Sequence, residues 1–123
     1  MNPHILIVED DAGLRQMLTW ELEDLGYSVT ATGECAQALD RAAGQRFAVA
    51  LLDYCLPDGN GIELLAVLRE VAPQMPVIMY SALASADTRA RARSLGAVGF
   101  LTKPASVQVA DQAFRQAMTL FEA

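Results

Sequence analysis

Short apolar runs in this chain end in residues suited to holding a hard cation or a phosphoryl group. Ile5 to Val8 runs into Glu9, Asp10 and Asp11; Val49 to Leu52 ends at Asp53; Val77 to Tyr80 ends at Ser81; Val98 to Leu101 is followed by Thr102 and Lys103. Carboxylates gathered in one place repel one another and draw in a proton unless a cation lies between them. An acidic, oxygen-rich set without His or Cys ligands suits Mg2+, which keeps several waters and accepts a phosphate oxygen. A lysine offers a point charge to another phosphoryl oxygen and a serine hydroxyl offers a hydrogen bond. Together they describe a phosphoryl-transfer site that works by positioning and charge neutralisation, with Asp53 as acceptor. A single Asp at a strand end more often caps a loop amide, so the reading rests on the whole set.

The set works only if the runs are neighbouring strands. Each reads as a buried strand, and between them the period changes to that of helices. Leu14, Met17, Leu18, Leu22 and Leu25 form a helical stripe that Asp11 caps and Gly26 stops. Tyr27, Val29 and Ala31 alternate as a strand near a sheet edge does. Cys35, Ala38, Leu39 and Ala42 form a second helix closed by Gly44. The loop Pro57 to Gly61 leads into a third helix that carries Ile62, Leu65 and Leu68 inward and stops before Pro73. Ser85 and Asp87 open a fourth, with a weak apolar stripe, that ends at Leu95 before Gly96. Ala110, Ala113, Phe114, Ala117, Met118 and Phe121 make the continuous face of a fifth. Strand then helix, five times, with no hairpin signal, predicts an α/β fold: a doubly wound parallel sheet covered on both faces. Ligands of such sheets bind at the carboxyl ends of the strands.

At 123 residues, 53% hydrophobic and 20% charged, the chain predicts one globular domain over 1–123. No apolar run approaches the roughly 18 residues of a membrane span, and the N-terminus has no export signal, which makes the cytoplasm the default location and argues against a membrane role. Net charge is −6 with nine scattered basic residues, so direct nucleic-acid contact by this domain is not expected. Cys35 and Cys55 lack metal spacing and read as reduced thiols. His4 is the single histidine. Trp20 lies off the first helix's stripe and reads as a partly exposed packing residue.

The motifs ILIVEDD, LLDYCLPDGNGIEL, VIMYSA and GAVGFLTKP, taken together, resemble the receiver domain of two-component response regulators, over essentially the whole chain. The resemblance implies a flavodoxin-like sheet of order 2-1-3-4-5. It makes Asp53 the acceptor of a phosphoryl group from a kinase phosphohistidine, Asp10 a direct Mg2+ ligand, Glu9 an acid linked through water, and the backbone carbonyl of Cys55 a third protein ligand. Leu14 and Arg15 align the family's first helix so that Glu9 and Asp10 are the pair; a slide of one residue would choose Asp10 and Asp11. Ser81 matches the switch hydroxyl, Lys103 the family's lysine, Pro104 the proline of a cis bond, and Phe100 the rotating aromatic, although a core phenylalanine is an equal reading for Phe100. The Cys55 thiol is either structural or a modulator of dephosphorylation. Ala105 stands where many members carry a bulky apolar residue.

The implied partners are a histidine kinase or histidine phosphotransfer protein, an output domain or effector protein, and a second copy in a phosphorylation-dependent homodimer. Phosphorylation would act on the face of the fourth helix, fifth strand and fifth helix, where Arg89, Arg91, Arg93 and Arg115 lie. No turnover of an external substrate is expected, and 1–123 reads either as a stand-alone regulator or as the N-terminal part of a longer one. The alternative is a pseudo-receiver, an interaction module without the chemistry. A flavin binder would need a Ser/Thr/Gly-rich loop where the three acids stand. A phosphatase with an aspartyl intermediate would want an acid at position 55, where Cys55 stands.

Overall fold

The computed structural model describes residues 2–82, 85–103 and 105–122, with the side chains of Cys55, Phe121 and Glu122 excepted. The elements follow in the order β1 (His4–Val8), α1 (Ala12–Asp24), β2 (Ser28–Thr32), α2 (Cys35–Gly44), β3 (Val49–Asp53), α3 (Gly61–Val71), β4 (Val77–Ser81), α4 (Ala86–Ser94), β5 (Gly99–Thr102) and α5 (Val107–Glu122). The five strands form one parallel sheet in the order β2-β1-β3-β4-β5, the order that the family resemblance implies.

Strand side chains alternate between the two faces, and this divides the core. Leu6, Val8, Ala50, Leu52, Val77 and Met79 pack under α2, α3 and Ala92 of α4. Ile5, Ile7, Val49, Leu51, Ile78 and Tyr80 pack under Leu18 and Leu22 of α1 and Ala110, Phe114 and Ala117 of α5. Strands β1 and β3 are central and buried on both sides, which is why both read as unbroken apolar runs. Tyr27, just before β2, donates its hydroxyl to Asp111 of α5 at 2.5 Å and meets the Phe114 ring edge-on. At the opposite end of β1 from the acids, His4 bonds Thr30 at 2.8 Å and Gln45 at 2.6 Å, and stacks edge-on against Phe47.

Helix ends follow local chemistry. The side chains of Asp11, Asn60 and Ser85 accept from the backbone N–H of Leu14, Glu63 and Thr88. Gly26 and Gly96 follow α1 and α4 with φ of +99° and +107°, the left-handed geometry that favours glycine. Gly44 departs from expectation: it is the last helical residue of α2 without positive φ, and extended Gln45 takes over as cap.

Three other expectations are corrected. Met17 and Leu25 are 49% and 47% exposed, because α1 covers the sheet near its β2 edge and the line Leu14, Leu18 and Leu22 is what faces the strands. A two-residue antiparallel pairing, Cys55–Leu56 with Gly59–Asn60, exists where no hairpin is predicted; its tip is the Pro57–Asp58 pair. Trp20 is more exposed than a packing role implies, at 61%. Pro104 and its peptide bond, Leu83 and Ala84 of the loop after Ser81, and the side chains of Cys55 and Phe121 lie outside the described residues.

Candidate phosphoacceptor site

Strand register brings the acids together. Val8 pairs with Leu52, so the next residues, Glu9 and Asp53, emerge side by side. Asp53 pairs with Tyr80, and Ser81 with Thr102, which puts Lys103 one residue beyond the sheet on the strand two places away. Lys103 passes 5.1 Å above the Tyr80 ring and reaches both acids, with Nζ 2.5 Å from Glu9 Oε1 and 3.0 Å from Asp53 Oδ2. One carboxylate oxygen from each of Glu9, Asp10 and Asp53 lies within 4.8 Å of the other two. Glu9 and Asp53 are buried; Asp10 faces solvent.

This arrangement is short of positive charge. Three carboxylates against one ammonium leave two negative charges when all are ionised. Among the described residues Glu9 Oε2 is buried without a hydrogen-bond partner, which is costly for an ionised group. Burial first, and then the facing Asp53 carboxylate, push the Glu9 carboxyl up to about 7 although Lys103 pulls it down. Burial works against the Lys103 ammonium too, but its bonds to Glu9 and Asp53 outweigh that and leave its pKa raised. An all-oxygen donor set with an orphaned buried oxygen fits a hard divalent cation, and Glu9, Asp10 and Asp53 are able to hold one.

The supporting residues include two that the sequence does not single out for the site. Arg15, one turn into α1, donates from Nη1 to the Glu9 carbonyl at 2.7 Å and more weakly to that of Asp10 at 3.4 Å, tying down the acid pair. Gly33 leaves room for it, since a Cβ there would come 2.7 Å from the same nitrogen. Asp58 bonds to the start of α2. Gly61 is needed for close approach: its Cβ would stand 2.3 Å from the Asp53 carbonyl oxygen, and its N–H donates to the Tyr54 carbonyl at 2.6 Å.

Ser81 is half-buried at the end of β4, and its carbonyl accepts from the Lys103 N–H at 3.0 Å. Phe100 is half-buried on β5 with the Arg93 guanidinium 5.6 Å from its ring centre. The backbone of Cys55 opens the short pairing just past Asp53. Asp11 caps α1, and Ala105 packs against the α1/α5 side of the core.

A family model described as the response regulator receiver domain matches residues 5–115. The chain belongs to that family. This receiver domain is 39% identical over 105 residues to the uncharacterized transcriptional regulatory protein YkoG of Bacillus subtilis (strain 168), covering 85% of the chain and 46% of that protein. It thus spans less than half the length of the curated relatives it matches first. Its fold is similar to that of a CheY-like response regulator receiver domain protein from Methanospirillum hungatei JF-1, with a TM-score of 0.95, 28% identity and coverage of 99% and 98% of the two chains. It is also similar, at a TM-score of 0.87, 26% identity and coverage of 97% and 99%, to the receiver domain of the sensor histidine kinase PA1611 from Pseudomonas aeruginosa PAO1, solved with a magnesium ion coordinated in its active site cleft.

Proposed function

We propose that this receiver domain takes a phosphoryl group onto Asp53 from the phosphohistidine of a kinase or phosphotransfer protein, and that the phosphorylated form engages a downstream output. The observation that carries the reading is the gathering of Glu9, Asp10 and Asp53 within 4.8 Å with Lys103 bridging two of them. Asp10, Asp53 and the Cys55 carbonyl would hold Mg2+, with Glu9 linked through water. The bound ion would neutralise carboxylate charge and accept a phosphoryl oxygen. The magnesium-bound receiver of PA1611 supports this assignment by analogy.

In the transfer, an Asp53 carboxylate oxygen attacks phosphorus, the phosphorus–nitrogen bond of the donor breaks, and the imidazole leaves with the electron pair. Glu9 and Asp53 share Lys103 beforehand; afterwards the ammonium turns toward the phosphoryl oxygens, which carry more charge than the carboxylate they replace. Ser81 donates its hydroxyl to another of those oxygens. The shift of Ser81 biases α4, which buries Ala92 alone, and the Phe100 ring beside Arg93. The face of α4, β5 and α5 then presents a changed surface to an output domain, an effector or a second copy. The domain consumes no external substrate, works in the cytoplasm, and leaves any nucleic-acid contact to other parts of a longer protein, as the names of its transcriptional relatives suggest.

Intact mass after incubation with Mg2+ and a small phosphoryl donor tests this. The native chain gains one phosphoryl group and Asp53→Asn gains none. No gain by the native chain, even with a competent histidine kinase, would mean a pseudo-receiver.

A further inference from the structure

Helix α2 begins without a cap of its own. Glu34, at the N-cap position, makes no side-chain hydrogen bond to the helix. The cap comes instead from the loop that follows the acceptor: Asp58 accepts from the Cys35 N–H through Oδ1 at 2.7 Å and from the Ala36 N–H through Oδ2 at 3.1 Å, across 23 and 22 residues of sequence. Both oxygens of one carboxylate are thus spent on the first turn of a helix belonging to another part of the fold. The loop tip is seated closely there, since a Cβ on Gly59 would come 3.2 Å from the Cys35 sulfur.

We propose that Asp58 is a positioning residue for the phosphoacceptor site: by clamping the loop tip to α2 it sets the position of the Cys55 carbonyl that is to hold Mg2+. This rests on the phosphoacceptor reading above. The residues between Asp53 and α3 have a firm start and a firm end. Asp53 closes β3, while at the other end Asn60 caps α3 and Gly61 bonds back to Tyr54. What joins them is a ladder of two pairs, Cys55 with Asn60 and Leu56 with Gly59. Hairpins that short do not hold their own shape in water. Asp58 supplies the outside anchor at the tip, three residues from Cys55. The anchor is charged, because the Cys35 N–H first and the Ala36 N–H next hold the Asp58 carboxyl below its ordinary range, and the positive end of the α2 dipole favours that charge.

The test compares the full chain with Asp58→Ala, Asp58→Asn and Tyr27→Phe, the last a control that weakens the fold far from the loop. Mg2+ is titrated calorimetrically without a phosphoryl donor, hydrogen exchange follows the Cys35 and Ala36 amides, and phosphorylation is timed at low and saturating Mg2+. Asp58→Ala should bind Mg2+ about tenfold more weakly, the lower end for residues that support a metal ligand. Asp58→Asn, with one carbonyl acceptor left, should fall between. Both amides should lose protection, and saturating Mg2+ should return most of the phosphorylation rate. Native Mg2+ affinity in Asp58→Ala, an equal loss in Tyr27→Phe, or no Mg2+ binding by the native chain would overturn the proposal. If the native chain binds Mg2+ and gains no phosphoryl group, the phosphoacceptor reading fails and the Mg2+ comparison still decides the role of Asp58.

Discussion

Glu9 has the least comfortable environment of the site's carboxylates: it is fully buried, faces Asp53, and satisfies one oxygen through Lys103 while the other has no partner among the described residues. Its folded-state pKa of about 7 lies above the 4.5 expected of the unfolded chain. The proton is therefore held more tightly in the folded state, and its stabilising contribution is complete below about pH 4.5 and lost as pH rises through 7. Metal-free protein should lose melting temperature across that window, and Glu9→Gln, which cannot ionise, should show a shallower fall. The difference between the two profiles isolates Glu9 from carboxylates such as Asp58 that titrate with the opposite sign. If the profiles run parallel, Glu9 is not the group responsible. Adding Mg2+ should narrow the difference, since a cation relieves what the proton relieves. The gathering of the acids with Lys103 was legible because each follows an apolar run that reads as a strand. Arg15 and Asp58 were not: both act on backbone groups of other segments, and no periodicity marks such contacts.

Among the elements, α3 is the one whose placement the site depends on most directly, because its first residue touches the backbone of Asp53. The clash of a Gly61 Cβ is with backbone on the other side, at 2.3 Å from the Asp53 oxygen and 2.9 Å from Tyr54 Cα, so neither partner can rotate away. Gly61→Ala should cost about 1–3 kcal/mol in denaturant unfolding and slow phosphorylation as well. Gly44→Ala is the opposite case. That glycine is inside the helical span, has ordinary φ and meets nothing within 4 Å, so alanine should stabilise the protein by about 0.5–1 kcal/mol. Equal effects at the two positions would contradict the account of the α3 junction. The sequence marks both as glycines ending or starting a helix; only the approach of α3 to β3 separates them. The exposure of Met17 and Leu25 has the same origin, since a helical stripe specifies a face and the width of sheet beneath decides how much of it is covered.

Across the whole molecule, the first half and the last helix are joined by Tyr27 and Asp111, 84 residues apart. Arg115 flanks the pair at 3.1 Å from Asp111 Oδ2. Burial first, then the bond to Asp111, push the Tyr27 phenol up to about 12 from 10. The bond's contribution is present below pH 10 and lost as pH climbs through 12. Tyr27→Phe should therefore be less stable by about 1.5–3 kcal/mol at neutral pH, a net hydrogen bond to a charged group, and should lack the native protein's extra loss of stability between pH 10 and 12. Unchanged stability would show that Asp111 is served equally well by Arg115 and water. The layered α/β plan was legible from periodicity, while strand order came from the resemblance, because apolar runs do not say which neighbours they choose.

The single imidazole in these 123 residues, His4, stands at the foot of β1, the strand whose head carries Glu9 and Asp10, and hydrogen bonds to Thr30 and Gln45 hold it there. A phosphohistidine donor therefore cannot arise within this domain and reach Asp53. Under the proposed function, whatever delivers the phosphoryl group would have to arrive from outside the fold, so charging of the domain would be a matter of encounter: dilution would slow it and tethering to a donor would speed it, while discharge by water, a first-order event, would ignore both.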